Sequence, residues 1–459
     1  MSRQKTKKSD LTPEEKLAQA LVPVEEQPYP VPGNWRWVKL SSVAQWGSGG
    51  TPSRKNPSYY GGSIPWIKTG ELNDDFVYQT EETITEDALN HSSAKLFPVN
   101  TVAIAMYGAT IGKVGILGIE ASTNQACACG VCRPLLNYKY LFYYARSQKE
   151  RFIAKAKGGA QPNISQDIIK NHPIPVAPLP EQHRIVARIE SLFAKLDEAK
   201  EKAQAVVDGF EERKAAILHK AFTGELTKGW REEGKSKLDE WKYVNWEEFL
   251  VRIEAGKNWR ALGRPPRNGE FGVVKVSSVT WGEFNENESK TCQSDEQWNE
   301  EIQIRAGDFL FSRANTLQLV GNCVIVESVN RKLMLSDKIL RFHFDDSVVS
   351  RYVLQYTRSI MYRKQVEELA SGNQDGMRNI SQKNLRQIQF PIAPLGEQNE
   401  IVRILDRILD RQQQAKSAAE QVLDQIDTMK KAILARAFRG ELGTNDPAEE
   451  SAVEMVRGR

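Results

Sequence analysis

The chain has 459 residues, with 63 Lys and Arg against 59 Asp and Glu and a net charge of +4. At about 150 residues per domain that is material for two or three domains, and the charge balance is too even for a protein that coats DNA through many phosphate contacts, though it leaves room for a reader with a local basic surface. Five cysteines fit a reducing cytoplasm rather than a disulfide scaffold, and no apolar run reaches the roughly 18 residues of a membrane span.

Residues 1–30 read as an extension. The polar stretch with Arg3, Lys5, Lys7 and Lys8 is followed by no signal-peptide core. Residues 1–10 read as a disordered leader, and Thr12-Pro13-Glu14-Glu15 as a helix start. Residues 31–180 form a first globular block of short β-rich runs at 64–68, 99–105 and 112–116, bounded by Gly, Pro and Asn, with a helix at about 138–157. Prolines 173, 175, 178 and 180 give a stiff extended lead-in to a long helix over 181–226. Its apolar positions, Ile185, Ile189, Leu192, Leu196, Ala199, Ala203, Val206, Phe210 and Ile217, alternate in steps of four and three, with Arg213 in the one missing slot. Residues 227–396 form a second block of the same layout, with runs at 272–276, 306–312 and 321–325 and a helix at about 348–370. A second long helix over 397–442 carries Ile401, Leu405, Ile408, Ala415, Ala419, Val422, Ile426, Met429 and Ile433, with Gln412 in the slot of Leu196. The tail, 443–459, repeats the helix-start signal at Asp446-Pro447-Ala448-Glu449.

The two long segments are copies of each other. Asn163-Ile164-Ser165-Gln166 recurs as Asn379-Ile380-Ser381-Gln382, Ala177-Pro178-Leu179 and Glu181-Gln182 as Ala393-Pro394-Leu395 and Glu397-Gln398, and Ala221-Phe222 with Gly224-Glu225-Leu226 as Ala437-Phe438 with Gly440-Glu441-Leu442. The offset is constant, with about 26 identities in about 64 positions, which a duplication explains. Each copy carries an a/d seam that two helices bury against each other. Each helix covers about 40 residues, roughly 60 Å, and Gly209 should cost the first about 1 kcal/mol. Ala199 and Ala203, echoed by Ala415 and Ala419, would let the two backbones approach closely. A generic dimerisation coil is the alternative, but two equal helices in one chain favour an intramolecular antiparallel pair. Each block reads as α+β with a twisted, mostly antiparallel sheet. The architecture expected is two tandem globular α/β domains separated by two long helices in an antiparallel coiled coil, with pseudo-two-fold internal repetition.

Motifs for chemistry fall short. Gly108 to Gly112-Lys113 has too few residues between its glycines for a P-loop, and Val114 where Ser or Thr would hold magnesium. Asn56-Pro57-Ser58-Tyr59 departs from the adenine-methyltransferase tetrapeptide at its third position. Cys127, Cys129 and Cys132 lack a fourth zinc ligand and alternate like a buried strand. The five histidines are scattered. Glu198-Ala199-Lys200 is helix surface, and Glu286-Asn287-Glu288-Ser289-Lys290 lacks the upstream Pro-Asp partner of a nuclease.

The doubled Asn-Ile-Ser-Gln, Pro-Leu-x-Glu-Gln, long helix and Ala-Phe-x-Gly-Glu-Leu block resembles the specificity subunit of type I restriction–modification enzymes. Residues 33–40, 49–53, 64–67 and 108–115 are similar to common elements of that family's target-recognition domains. The resemblance covers about Val31 to Leu442. It implies that each domain reads one half of a bipartite site on double-stranded DNA, and that the helices fix the half-site spacing and dock two methyltransferase subunits. It further implies that S-adenosylmethionine, ATP and magnesium belong to those subunits and to the restriction–translocase subunits, with no cofactor or metal on this non-catalytic chain. A scaffold whose rods hold two protein-binding domains is the alternative.

Base and phosphate contact needs Arg, Lys, Asn, Gln, Ser or Thr on loops. The candidates in the first block are Thr51, Ser53, Arg54, Lys55, Asn56, Lys68 and Lys113. In the second they are Lys257, Arg260, Arg264, Arg267, Lys275, Ser312, Arg313 and Asn315. Glycines 47, 49, 50, 256 and 263 would let backbone approach phosphate. The acidic stretch 283–301 is expected to face away from DNA, and Trp35, Trp37, Trp66, Trp241 and Trp246 to pack internally.

Overall fold

A computed structural model of the protein describes residues 13–157, 162–372 and 378–452. The expected leader at 1–10 and Thr12 lie outside the described residues. The helices include α1 (Pro13–Ala20), α2 (Tyr138–Ser147), α3 (Leu179–Asp208), α4 (Phe210–Phe222), α5 (Ser350–Thr357) and α6 (Leu395–Ala437). The chain divides into two compact units, Met1–Lys202 with Gln421–Arg459, and Ala203–Glu420. The sequence pattern separates blocks from rods, whereas the units divide both rods, so each unit holds one block and parts of both copies of the repeat. Among the described residues no helix is long and apolar enough to cross a membrane.

In the first unit the block has two sheets rather than the single one expected. One runs in the order Ala44–Ser48, Cys127–Cys132, Val102–Ala105, Val114–Leu117, Asp75–Val77; the other in the order Glu82–Ile84, Tyr60–Ile67, Ala121–Thr123, Leu96–Phe97. Each contains one parallel pair. A separate antiparallel ribbon joins Arg36–Lys39 to the proline-rich Pro173–Val176. A proline-bearing strand fits in a two-stranded ribbon because Pro173 and Pro175 face away from the partner strand, their carbonyls accepting instead from the Tyr144 and Tyr140 hydroxyls. Asn137 caps α2 by accepting from the Lys139 and Tyr140 amides, and α2 buries Tyr140, Leu141 and Tyr144 in the main core.

The second unit repeats this plan. Leu250–Ala255, Ile339–Phe344, Phe309–Ser312 and Cys323–Ile325 form one sheet; Ala261–Leu262, Ser289–Cys292, Phe271–Val274 and Lys332–Met334 form the other. Lys242–Asn245 pairs with Gln389–Ile392 as the ribbon.

The structure gives the repeated motifs physical roles. Ser165 and Ser381 are N-caps, their hydroxyls accepting from Ile168 N and Asn384 N. Gln182 donates to the Leu135 and Ala177 carbonyls and accepts from Asn137 N; Gln398 donates to Ser347 and Ala393 and accepts from Val349 N. Glu181 is fully buried and accepts from Trp35 Nε1 at 2.7 Å, and Glu397, also fully buried, from Trp241 Nε1 at 2.9 Å. Tyr140 and Tyr352 donate to the Pro175 and Pro391 carbonyls.

The Ala-Phe motif is exchanged between copies. Phe438, ending the second repeat, packs edge-on against Tyr140 and Tyr144 of the first block. Phe222, ending the first repeat, packs against Tyr352 and Tyr356 of the second. Asn34 in the first block donates to the Asp446 carbonyl and accepts from Ala452 N. The expected helix start at Asp446 is instead a turn, with Glu449 N bonded to Asp446 O.

Ile185 and Ile189 in the first unit, and Ile401 and Leu405 in the second, are fully buried as expected of a seam. Leu192, Leu196 and Ile408 are only half-buried, while Phe193 is buried. Ala415 is exposed, and Val422 and Met429 are 40% and 44% exposed. The reason is the block beside the helix: Phe193 is covered by Tyr143 of α2, 5.8 Å between ring centroids, and by Arg146, so the buried stripe follows Ile185, Ile189 and Phe193 in steps of four. In the second unit the pairing is antiparallel, with Phe210 under Lys416 at 4.7 Å and Arg213 on Gln412. The first rod is not one helix; it breaks at Gly209, between α3 and α4, whereas α6 runs unbroken for 43 residues.

Candidate nucleic-acid interface

In the first block Thr51, Ser53, Arg54, Lys55 and Asn56 share one loop between strands. Asn56 is spent on its own turn, accepting from Ser58 N and Oγ. Thr51 donates to Gln125 Oε1. Arg54 grips Glu82 with both terminal nitrogens, at 2.6 and 3.1 Å, and lies 4.2 Å from the Tyr60 ring centroid. Lys68 reaches the same carboxylate at 3.1 Å and Glu81 at 2.7 Å. Hydrogen bonds from Arg54 and Lys68 pull the Glu82 carboxyl down to about 2. Two of the predicted DNA cations are therefore paired with the protein's own carboxylates, Arg54 at the surface and Lys68 half-buried, while Ser53 and Lys55 point to solvent unpaired among the described residues. Lys113 stands on a different turn, after Gly112, whose φ is +77°.

In the second block Arg264 is likewise spent, holding Glu270 at 2.7 Å through both terminal nitrogens and keeping that carboxyl at about 2. Arg267 gives its backbone N–H to Glu270 and leaves its side chain exposed, as does Arg260. Ser312 is fully buried, its hydroxyl 3.5 Å from the Ala314 carbonyl, and drops out of the DNA-facing set. Arg313 is half-buried. Asn315 donates to Thr280 Oγ1 at 3.4 Å and accepts from Thr316 N.

The structure brings Lys257 and Lys275 together. They line a cleft of about 340 Å³ with Trp259, Lys290, Lys338 and one acid, Asp337. Lys275 is 3.6 Å from Glu288. Lys257, Lys290 and Lys338 form no ion pair among the described residues, and all three are exposed. Three uncompensated ammonium groups around one cleft attract a phosphate far better than paired ones. Lys290 and Lys338 were not among the residues expected from the sequence. Lys290 sits in the stretch set aside as acidic, but Glu286 there accepts from the Asn330 and Arg331 amides and Glu288 from Ser277. Lys338 follows Ser336-Asp337, where spacing carries no signal.

Other expectations change too. Gly49 and Gly256 serve the protein's own packing: a side chain at either would collide with the Thr123 or Leu335 carbonyl. Trp35, Trp37, Trp66 and Trp246 are buried, and Trp241 is half-buried. Cys127 and Cys129 are fully buried on a sheet strand, and burial pushes the Cys129 thiol up to about 12.

Two blocks of one design, each on its own pair of repeat segments, match a family model described as the type I restriction modification DNA specificity domain, over residues 32–207 and 264–424. The chain belongs to that family. It carries two copies of the specificity domain, and is a specificity subunit of the type I restriction–modification class. It is 24% identical over 434 residues to the type I restriction enzyme EcoKI specificity subunit of Escherichia coli strain K12, covering 91% of both chains. It is 30% identical over 268 residues to the MjaIX specificity subunit of Methanocaldococcus jannaschii, covering 54% of this chain and 58% of that one. The fold is that of the HsdS subunit from Thermoanaerobacter tengcongensis, with a TM-score of 0.66 at 20% identity, covering 91% of this chain and all of that one.

Proposed function

We propose that this specificity subunit gives a type I restriction–modification complex its DNA address, each block reading one half of a bipartite site on double-stranded DNA. The two rods set the half-site spacing and dock two methyltransferase subunits. Adenine methylation with S-adenosylmethionine belongs to those subunits, and ATP- and magnesium-dependent cleavage to restriction–translocase subunits; this chain catalyses neither. The complex works in the cytoplasm, where the DNA is. The observation that carries this reading is the contrast between the copies. The scaffold residues Gln182 and Gln398, Glu181 and Glu397, Tyr140 and Tyr352 are kept, while the loops bearing Arg54 and Lys257 share little sequence. One framework with two different loop sets suits two different half-sites.

The test is methylation mapping of DNA treated with the chain and its methyltransferase partner. A two-part motif with a fixed gap is expected; methylation indifferent to sequence sinks the reading. Deleting one heptad from each rod, residues 196–202 and 412–418, should change the gap and leave the half-site bases unchanged. A changed base preference with an unchanged gap would refute the ruler.

A further inference from the structure

Both blocks cross from one sheet to the other through the same connection. In the first block it runs from the strand Ala44–Ser48 to the strand Tyr60–Ile67. In the second it runs from Leu250–Ala255 through Ala261–Leu262 to Phe271–Val274. The first connection holds Arg54 and Lys55, and the second Lys257, Arg260, Arg264 and Arg267. Their sequences differ, yet each fixes one arginine in the same way. Glu82 clamps Arg54 end-on, and Glu270 clamps Arg264, each through both terminal nitrogens and both carboxylate oxygens. The acid lies in or beside the second sheet in both blocks: Glu82 stands opposite Trp66, and Glu270 directly precedes Phe271.

These clamps are built, not chance surface pairs. Arg54 lies 4.2 Å from the Tyr60 ring centroid and 5.3 Å from that of Trp66. Lys68 shares Glu82 and also reaches Glu81, and Glu71 accepts from the Lys68 and Glu81 amides. Arg54 and Lys68 therefore meet three carboxylates, Glu71, Glu81 and Glu82, and the cluster is net negative. In the second block Arg264 also donates to Thr291 Oγ1, and Glu270 accepts from Arg267 N. The bonds from the cations hold the Glu82 and Glu270 carboxyls at about 2, so both acids stay charged near neutral pH. Neither arginine is buried, the side chains being 55% and 38% exposed. What keeps them from DNA is the carboxylate, which takes the bidentate grip that a guanidinium otherwise gives a phosphate. Their neighbours Lys55, Lys257 and Arg260 are exposed and form no ion pair among the described residues.

We propose that Glu82 and Glu270 are specificity-determining residues that withhold Arg54 and Arg264 from the phosphate backbone of DNA that lacks the site. An arginine on a phosphate holds every sequence alike, because the backbone carries no sequence information directly. Occupying it lowers the affinity for the many wrong sites and leaves discrimination to the side chains that reach bases. The same device, made of different residues in each copy, suits two half-sites under one requirement. The inference rests on the proposed reading, in which both blocks face DNA.

The experiment measures binding of the complex with its methyltransferase subunits to DNA with and without the mapped site, across a salt series. Glu82→Gln and Glu270→Gln should each bind site-free DNA more tightly. Each should steepen the slope of log affinity against log salt by about 0.9, the value of one phosphate. A fourfold drop in salt then favours each variant about 3.5-fold beyond the wild type, and the ratio of site to site-free affinity falls. Arg54→Ala with Glu82→Gln should return to the wild-type slope, because the released cation is gone. Glu81→Gln removes the same charge while Glu82 still holds Arg54, and should leave the slope near the wild-type value. All of these side chains are partly exposed, so the variants leave the fold in place. Unchanged binding of site-free DNA by both Glu82→Gln and Glu270→Gln overturns the inference and leaves the acids as loop braces. Weaker binding to the site overturns it the other way, with the acids positioning their arginines to read bases. Equal steepening by Glu81→Gln, or steepening that survives without Arg54, overturns it in favour of bare charge repulsion. A wild-type complex that binds both DNAs alike overturns the proposed reading as well.

Discussion

Arg213 donates Nε to Oε1 of Gln412 at 3.1 Å, and its Nη2 to the Val206 carbonyl at 2.5 Å. These are the two polar exceptions in the apolar seams, one in each copy of the repeat, and they meet each other. The Arg213 guanidinium lies against Gly209, where no side chain competes for the space. A polar pair inside an apolar seam fixes register at some cost in stability. Arg213→Ala should lower stability by about 1–3 kcal/mol, because Gln412 and Val206 lose their donor. Arg213→Leu with Gln412→Leu should recover most of that loss, since both partners become apolar. Thermal unfolding of the three proteins decides it; a double variant as unstable as the single one would deny the pairing any energetic role.

Glu181 and Glu397 occupy equivalent positions with different neighbours. Glu397 takes hydrogen bonds from Arg231, Thr227, Ser236 and Trp241, and the Arg231 side chain is 9% exposed. Glu397→Gln places an amide N–H₂ among donors and leaves Arg231 without its carboxylate, so a loss of about 3–5 kcal/mol is expected. Glu181 has Trp35, Asn445 and Thr444. Gln in its place can still accept from Trp35 and Asn445 while donating to the Thr444 hydroxyl, so Glu181→Gln should change stability at neutral pH by less than about 1 kcal/mol. Denaturant unfolding compares the two.

The pH dependence at Glu181 follows from burial, which raises its carboxyl above the ordinary range despite the donors at Trp35 and Asn445. The folded state holds this proton more tightly than the unfolded chain. The stability it contributes is full below the unfolded value of about 4.3 and is lost as pH rises through the folded value. Glu181→Gln should flatten that part of the stability–pH curve. An unchanged slope in the variant would place the titration elsewhere.

The rods and the repeat could be read from the sequence because periodicity is local: Ile185, Ile189, Ile401 and Leu405 announce their burial by spacing alone. The exact seam could not, because Tyr143 and Arg146, about 50 residues away in sequence, decide that Phe193 rather than Leu192 is buried. The blocks were legible as β-rich runs but not as two sheets, since pairings such as Tyr60–Ile67 with Ala121–Thr123 join residues far apart in sequence. The same non-locality governs the interface. Nothing around Arg54 reveals that Glu82, 28 residues on, neutralises it, and nothing around Lys257 reveals that Lys290 and Lys338 join it. Residue type marked the cations; only the fold separates paired from free.

That separation gives a direct test of the lysine cleft. Every phosphate deprived of its lysine should lower the slope of log affinity against log salt by about 0.9. Lys257→Ala, Lys290→Ala and Lys338→Ala, assayed in the complex, should each reduce the slope by about that amount and weaken binding to all sequences alike. Arg264→Ala, whose guanidinium is occupied by Glu270, should leave the slope unchanged. Equal slopes in all four variants would remove the cleft from the DNA surface.

The exchanged phenylalanines make the sharpest structural prediction. Phe438 is 1% exposed and wedged between Tyr140 and Tyr144, and Phe222 is fully buried beside Tyr352 and Tyr356. Truncating a phenylalanine of this kind removes aromatic burial and leaves a cavity, together about 3–5 kcal/mol. The residue lies at the end of one repeat, but the loss should appear in the block that precedes the other. Hydrogen exchange of Phe438→Ala should therefore show weakened protection across residues 31–180 with 250–390 protected as in the wild type, and Phe222→Ala the reverse. If each phenylalanine instead stabilised the block before its own helix, Phe438→Ala would open 250–390 first, and the two blocks would be closed by their own repeats rather than by each other's.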